Sequence, residues 1–167
     1  MGGGEFLIRD DLPPALGHRL SEIVLDILRQ RSTSLAVDAV VDPPYQGQFD
    51  DILSELTQRA EDRHRRQRDM SVWYRLTRRT PSLLSIELPI DEPRNFDLFK
   101  RFAFYSIHAE VKGRNGSTEG TPIFASDDSG QSVWFSLTAN EAVSLQERLA
   151  EESWKFDDCL EPYSRPN

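Results

Sequence analysis

The sequence predicts an α+β fold, in which an antiparallel sheet of four to six strands carries about three helices packed mainly on one face. Three observations support this prediction. Short apolar runs with a period of two recur along the chain, as half-buried strands require. Stretches with a period of 3.6 residues lie between some of them and indicate amphipathic helices. The last three strand-like runs are joined by short turns, which indicates a C-terminal three-stranded meander.

Three segments divide the chain. Residues 1–6 are rich in glycine and resemble a leader derived from an expression vector, so we expect them to lie outside the fold. Residues 7–160 are predicted to form a single α+β domain, because a chain of 167 residues is long enough for one sizeable core. The tail, residues 161–167, contains two prolines and is predicted to be disordered.

The first part of the domain contains two predicted helices with a strand between them. Apolar residues recur at helical spacing from Ala15 to Arg31, directly after two prolines of the kind that helix starts tolerate. The alternation in Leu35–Val41 indicates a strand, which the prolines at 43 and 44 end. A second helix is predicted from Gln48 to Ala60, where its apolar stripe stops.

An arginine-rich segment follows. Residues 59–79 carry eight arginines and three acidic residues, a charge of +5 that leaves −13 for the rest of the chain. Within it, Ser71–Thr77 alternates like a strand. The segment can be a solvated helix end with local ion pairs, a contact for an acidic protein, or a site for phosphate or single-stranded nucleic acid. The candidate partner-binding residues in it are Arg63, Arg65, Arg66, Arg68 and Trp73.

Four further strands are predicted in the second part of the chain. Leu84–Ile90 alternates clearly, and three phenylalanines between 96 and 102 form an aromatic cluster after it. The meander strands are Tyr105–Lys112, Thr121–Ser126 and Gln131–Leu137, joined at turn-forming glycines. The meander residues expected to point inward are Tyr105, Ile107, Ala109, Val111, Val133, Phe135 and Leu137.

A helix after the meander has a clear start signal. Thr138 and Glu141 have the spacing of a capping box, in which each side chain binds a backbone N–H of the first turn. Ala142, Leu145 and Leu149 then form an apolar stripe at helical spacing. We expect this helix to pack on the apolar face of the meander.

No sequence motif with an established chemistry occurs. The chain has no glycine-rich phosphate loop and no HExxH or CxxC spacing, and its three histidines are scattered, so neither a metal nor a cofactor is predicted. His108 and Glu110 are the pair with catalytic potential, because residues two apart on a strand project to the same side. They could act as a base and its partner or as metal ligands. An ordinary polar strand face explains them equally, and we favour that interpretation.

Composition excludes several classes of function. The net charge of −8 argues against general nucleic-acid binding. No apolar run is long enough to span a bilayer, so a membrane partner is not expected. Cys159 is alone and has no disulfide partner within the chain, which favours a cytoplasmic location.

These exclusions favour a non-catalytic protein-binding module, such as an inhibitor, an immunity-type protein or a secretion-chaperone-like accessory protein. Trp134 lies on the outward side of the last meander strand, where it is either covered by another element or an anchor for a partner. The expected partner is another protein. The first alternative is a small enzyme that uses the open sheet face around His108 and Glu110. The second is a binder of phosphate or single-stranded nucleic acid through residues 59–79.

Overall fold

One antiparallel sheet of seven strands organises the protein, with helices packed against it. A computed structural model describes residues 3–40, 49, 51–52, 54–56, 58–59, 83–115 and 118–163. The described residues confirm the α+β class and the antiparallel sheet. The predicted number of strands was too low. Two strands at one side of the sheet are formed by segments that were assigned to a leader and a tail.

The elements have the following bounds. The strands are β1 Gly4–Ile8, β2 Ser32–Val40, β3 Leu83–Leu88, β4 His108–Asn115, β5 Thr118–Asp127, β6 Ser132–Leu137 and β7 Leu160–Pro162. The helices are α1 Pro14–Leu28, α2 Pro93–Phe102, α3 Ala139–Glu151 and the short α4 Phe156–Cys159, with 3-10 turns at Arg29–Arg31 and Ala103–Tyr105. Residues 51, 52, 54–56, 58 and 59 are helical. The strand order is β3-β2-β4-β5-β6-β1-β7.

The core lies on one face of the sheet, called here the inner face. Adjacent strands bring apolar residues into line there, with Val37 opposite Ala109, Val111 opposite Phe124, and Phe124 opposite Phe135. The predicted inward positions of β6 are confirmed, since Val133, Phe135 and Leu137 are buried. Helices α1, α2 and α3 contribute their buried side chains to the same core cluster.

The exclusion of residues 1–6 from the fold was wrong for Gly4–Phe6. These residues belong to β1, where Phe6 lies opposite Phe135 and its ring packs edge-on against Phe156 at 5.3 Å. The assignment of residues 161–163 to a disordered tail was wrong for a related reason. β7 pairs with β1, and the Tyr163 backbone N–H donates to the Glu5 carbonyl at 2.9 Å. Residues 164–167 lie outside the described residues.

The first meander strand begins at His108 and not at Tyr105. The chain leaves α2 through the 3-10 turn Ala103–Tyr105, and the Ser106 hydroxyl donates to the Ala103 carbonyl at 2.7 Å. Ser106 is therefore buried and Ile107 is half-buried, the reverse of the predicted alternation. From His108 onward the predicted faces are confirmed, with Ala109 and Val111 buried.

The predicted helix start signals are present, but the described residues contain more helices than predicted. The capping box of α3 is present, with the Thr138 hydroxyl accepting from the Glu141 N–H and the Glu141 carboxylate accepting from the Thr138 N–H. The predicted apolar stripe of α3 is buried. Helix α2 was missed, although Pro93 at its first turn and phenylalanines three residues apart are helix signals.

Two sequence predictions fall outside the part of the chain that the structure describes. They are the strand Ser71–Thr77 and most of the arginine-rich segment. Among the described helices, none combines the length and the apolar character needed to cross a bilayer.

Candidate functional site

The face of the sheet opposite the core, called here the outer face, carries the site residues that the structure describes. Strand register places its side chains in rows that cross the sheet, because residues directly opposite on neighbouring strands point to the same side. One row contains Glu87, Ala36, Glu110, Ala125, Trp134, Leu7 and Glu161. The next contains Asp38, His108, Asp127 and Ser132.

An apolar patch occupies one side of the outer face. Ala125, Trp134 and Leu7 are direct neighbours across β5, β6 and β1. The Trp134 ring is stacked with Tyr163, with 6.3 Å between centroids and 22° between planes. Ala125 is buried and the other three are half-buried. We call Leu7, Ala125, Trp134 and Tyr163 the outer apolar patch. Trp134 thus lies on the predicted face and is partly covered by a residue of the predicted tail.

His108 is paired with Asp127 and not with Glu110. Its Nδ1 atom lies 2.6 Å from Asp127 Oδ1, across the β4–β5 register, and both side chains remain about two-fifths exposed at 39% and 45%. Glu110 lies on the same face, as predicted, and its carboxylate binds the Lys112 ammonium at 3.3 Å. Asp38 is opposite His108 on the β2 side.

The His108–Asp127 pair has some of the features of an acid–base catalytic site. A carboxylate on Nδ1 favours the tautomer that presents Nε2 as an acceptor, which is the arrangement of a general base. Ser132 stands on the far side of Asp127 from His108, so the register places no hydroxyl beside the imidazole in this row. No group of three histidine, cysteine, aspartate or glutamate side chains among the described residues could hold a metal ion.

Cys159 does not supply a nucleophile. Its side chain is buried in the core cluster. Burial, together with the nearby Asp158 carboxylate, raises the pKa of the Cys159 thiol. A buried thiol that stays protonated at neutral pH is a packing residue and not a reactive one.

A groove of about 680 Å³ lies on the helical side of the protein, between α1 and α3. Its lining residues all come from these two helices and the residues next to their ends, and none belongs to the outer face. The concave surface and the His108–Asp127 pair are therefore separate features.

The arginine-rich segment is described only at its first residue. The Arg59 guanidinium donates to Glu55 Oε1, to Glu92 Oε2 at 2.9 Å and to Asn95 Oδ1 at 2.6 Å. Arg59 is thus engaged within the fold. Arg63, Arg65, Arg66, Arg68 and Trp73 lie outside the described residues, and their roles stay predictions.

No protein-family model, curated protein or solved structure matches this chain. Function is therefore inferred from its own side chains and their arrangement.

Sequence reasoning found His108 and Trp134 but missed three of their neighbours. Asp127 was placed in a turn near one end of the strand, without its bond to His108. Leu7 was not considered as an outer-face residue, and Tyr163 was assigned to a disordered tail. The short apolar run Phe6–Ile8, between Glu5 and Arg9, was a weak signal for a strand in this segment.

Proposed function

We propose that the protein is a non-catalytic protein-binding module, and that its partner docks on the outer face of the sheet. The observation that supports this best is the outer apolar patch, a tryptophan with apolar neighbours on a broad seven-stranded face. An inhibitor, an immunity-type protein or a secretion-chaperone-like accessory protein would use such a surface. We also propose a cytoplasmic location, which the single buried cysteine favours.

The composition of the outer face matches the anatomy of protein interfaces. Such interfaces have an apolar, often aromatic centre and a polar rim, and tryptophan is prominent among the residues that dominate binding energy. Here the patch around Trp134 is bordered by polar positions, with Asp127 and Ser132 in the adjacent row and Glu161 at the β7 edge. A sheet face with an apolar centre suits a macromolecular partner better than a small substrate, which needs a concave pocket.

The first test is affinity capture from a lysate of the source organism, with the purified protein immobilised. A partner captured by the wild type should be identified by mass spectrometry, purified, and titrated against the wild type and Trp134→Ala. We expect Trp134→Ala to weaken binding about tenfold or more, because truncating a central tryptophan typically costs ~2 kcal/mol or more. Circular dichroism would verify that the variant is folded.

Ser132→Ala is the matched control for this test, since Ser132 lies two residues from Trp134 on the same face of β6. It should bind like the wild type. The proposal would be rejected if the purified partner bound Trp134→Ala and the wild type equally well, or if no captured protein bound after purification.

A second candidate function, a small enzyme, is favoured by one observation, the 2.6 Å contact between His108 Nδ1 and Asp127 Oδ1. His108→Ala separates the two candidates in the same experiment. The binding module predicts that His108→Ala retains the captured partner. The enzyme predicts that the wild type transforms a compound from the lysate, that His108→Ala does not, and that Trp134→Ala still does.

A further inference from the structure

At one end of the groove between α1 and α3, the charged side chains are paired with groups of the protein itself. The Arg31 guanidinium binds the Glu141 carboxylate at 2.7 Å, and both side chains are mostly buried, at 13% and 16% exposure. Arg31 also donates to the backbone carbonyls of Arg114 and Ser136. The guanidinium N–H groups of Arg31 therefore bond to acceptors of the protein itself.

This arrangement disfavours an anionic ligand. A helix N-terminus attracts anions through its free N–H groups, but at the start of α3 the capping box already occupies part of this site. The Glu141 N–H donates to the Thr138 hydroxyl, and the Glu141 carboxylate already lies over this helix end, where it accepts from the Thr138 N–H. A phosphate or carboxylate would compete with a carboxylate that is already in place.

At the other end of the groove, two carboxylates have no partner among the described residues. Asn140, Ser144, Glu147 and Glu151 line the groove from one stripe of α3, because residues four, three and four apart share a helix face. Glu147 and Glu151 make no hydrogen bond or ion pair among the described residues. Like charges one helical turn apart repel each other, so a cation placed between them would relieve a repulsion that the isolated chain contains.

The groove lining has a net negative charge. It holds Asp26, Glu141, Glu147 and Glu151 against Arg31 and Arg148, a net charge of −2. Asp26 is bound by Lys100 at 2.8 Å, whereas Arg148, three residues before Glu151, makes no ion pair in the described part of the chain. Val143 borders the α3 stripe and is the most exposed large apolar side chain of the described residues, at 44%. The groove therefore combines a negative end with an apolar contact at its rim.

We propose that this groove binds a lysine- or arginine-bearing segment of a partner protein. The cation of that segment lies between Glu147 and Glu151, its polar groups bond to Asn140 and Ser144, and an apolar side chain of the segment contacts Val143. Charge complementarity selects a basic segment over an acidic one or a polyanion. The groove is a second surface, and its use does not depend on whether the outer apolar patch binds a partner.

A displayed library of short peptides tests this inference. Peptides are selected on the wild type and depleted on the double variant Glu147→Gln, Glu151→Gln, and the enriched peptides are synthesised with a fluorescent label. We expect them to contain lysine or arginine at a recurrent position. Their affinity should fall about tenfold in the double variant, since two exposed ion pairs together contribute roughly the free energy of one order of magnitude.

The matched control is Asp157→Asn with Asp158→Asn, which removes the same charge from two exposed residues outside the groove. It should bind the peptides like the wild type, as should Trp134→Ala. Backbone amide shifts on peptide addition should be confined to α1, α3 and their ends. The inference is wrong if no peptide is enriched, if enriched peptides lack a basic residue, or if the control pair loses affinity as much as the groove pair.

Discussion

Asp128, Ser129 and Gly130, in the turn between β5 and β6, all have left-handed backbone conformations, with φ values of 50°, 59° and 80°. The first two are non-glycine residues, in which this conformation is uncommon. Hydrogen bonds maintain it, since the Asp128 and Ser129 N–H groups donate to the carbonyls of Ile107 and Ser106 at 2.8 and 2.9 Å. The turn is therefore tied to the segment that enters β4 and so helps to place Asp127 beside His108.

Gly130→Ala should destabilise the protein strongly. Its φ of 80° disfavours any side chain, and a Cβ there would overlap the Phe104 ring. Gly120 is a matched control with a φ of 77° and open space around its Cβ position. We expect a loss of about 1–2 kcal/mol for Gly120→Ala from backbone conformation alone. Gly130→Ala should lose roughly 1–3 kcal/mol more from overpacking.

Urea denaturation of the two variants measures this difference. Equal losses would mean that the Phe104 ring moves aside at little cost, and that only the backbone conformation matters at Gly130.

Ion pairs join the helical residues between 51 and 59 to α2. The Glu55 carboxylate accepts from Arg94 at 2.7 and 3.0 Å, and also from Arg59. Arg59 in turn binds Asn95, whose buried amide donates to the Pro89 carbonyl at 2.9 Å. Hydrogen bonds from Arg94, and then from Arg59, lower the pKa of Glu55 from 4.5 to about 2. This network holds the helical residues against α2, and their Ile52 and Leu56 side chains belong to the core cluster.

The contribution of Glu55 to stability should depend on pH. Because its pKa is lower in the folded protein than in the unfolded chain, the contribution is complete above about 4.5 and is lost as the pH falls towards about 2. Glu55→Gln should therefore be less stable than the wild type at neutral pH, and the two should converge in acid. Urea denaturation across this pH range measures the difference.

Glu147→Gln is the control, since Glu147 has no ion pair among the described residues. At neutral pH it should lose less stability than Glu55→Gln does. A Glu55→Gln deficit that persists undiminished at the acid end would contradict the ion-pair explanation and point to lost packing.

At the scale of the whole molecule, β1 joins two parts of the sheet. It pairs with β6 on one side and with β7 on the other, so that among the described strands β7 is hydrogen-bonded to β1 and β1 links it to the meander. Phe6 extends this connection into the core, where its ring contacts Phe135 and Phe156. A segment near the start of the chain therefore completes the fold of the segment near its end.

Phe6→Ala should lower the free energy of unfolding by about 3–5 kcal/mol, as the truncation of a buried phenylalanine does. Leu7→Ala, which removes a half-buried side chain from the opposite face, should cost less. Chemical denaturation would compare the two. A Phe6→Ala variant as stable as the wild type would show that residues 1–6 contribute nothing to the fold, as expected of a leader.

Features that depend on residues close together in the chain could be predicted from the sequence. The inward side of β6, with Val133, Phe135 and Leu137, follows from strand periodicity. The start of α3 follows from the capping box, because Thr138 and Glu141 meet within one helical turn. The faces of His108 and Trp134 were predictable for the same reason. Each of these features involves only residues close together in the chain.

Which residues meet across strands depends on long-range packing and is visible in the folded protein alone. Without irregularities after the Asn115–Thr118 pair, His108 would lie opposite Ala125. Register shifts between Val111 and Lys112 and between Gly113 and Asn115 add one residue each and bring Asp127 there instead. Such bulges, like the pairing of β7 with β1, result from long-range packing of the whole sheet. Local periodicity in the sequence does not indicate them. The partner of His108 and the neighbours of Trp134 could therefore be identified only in the folded protein.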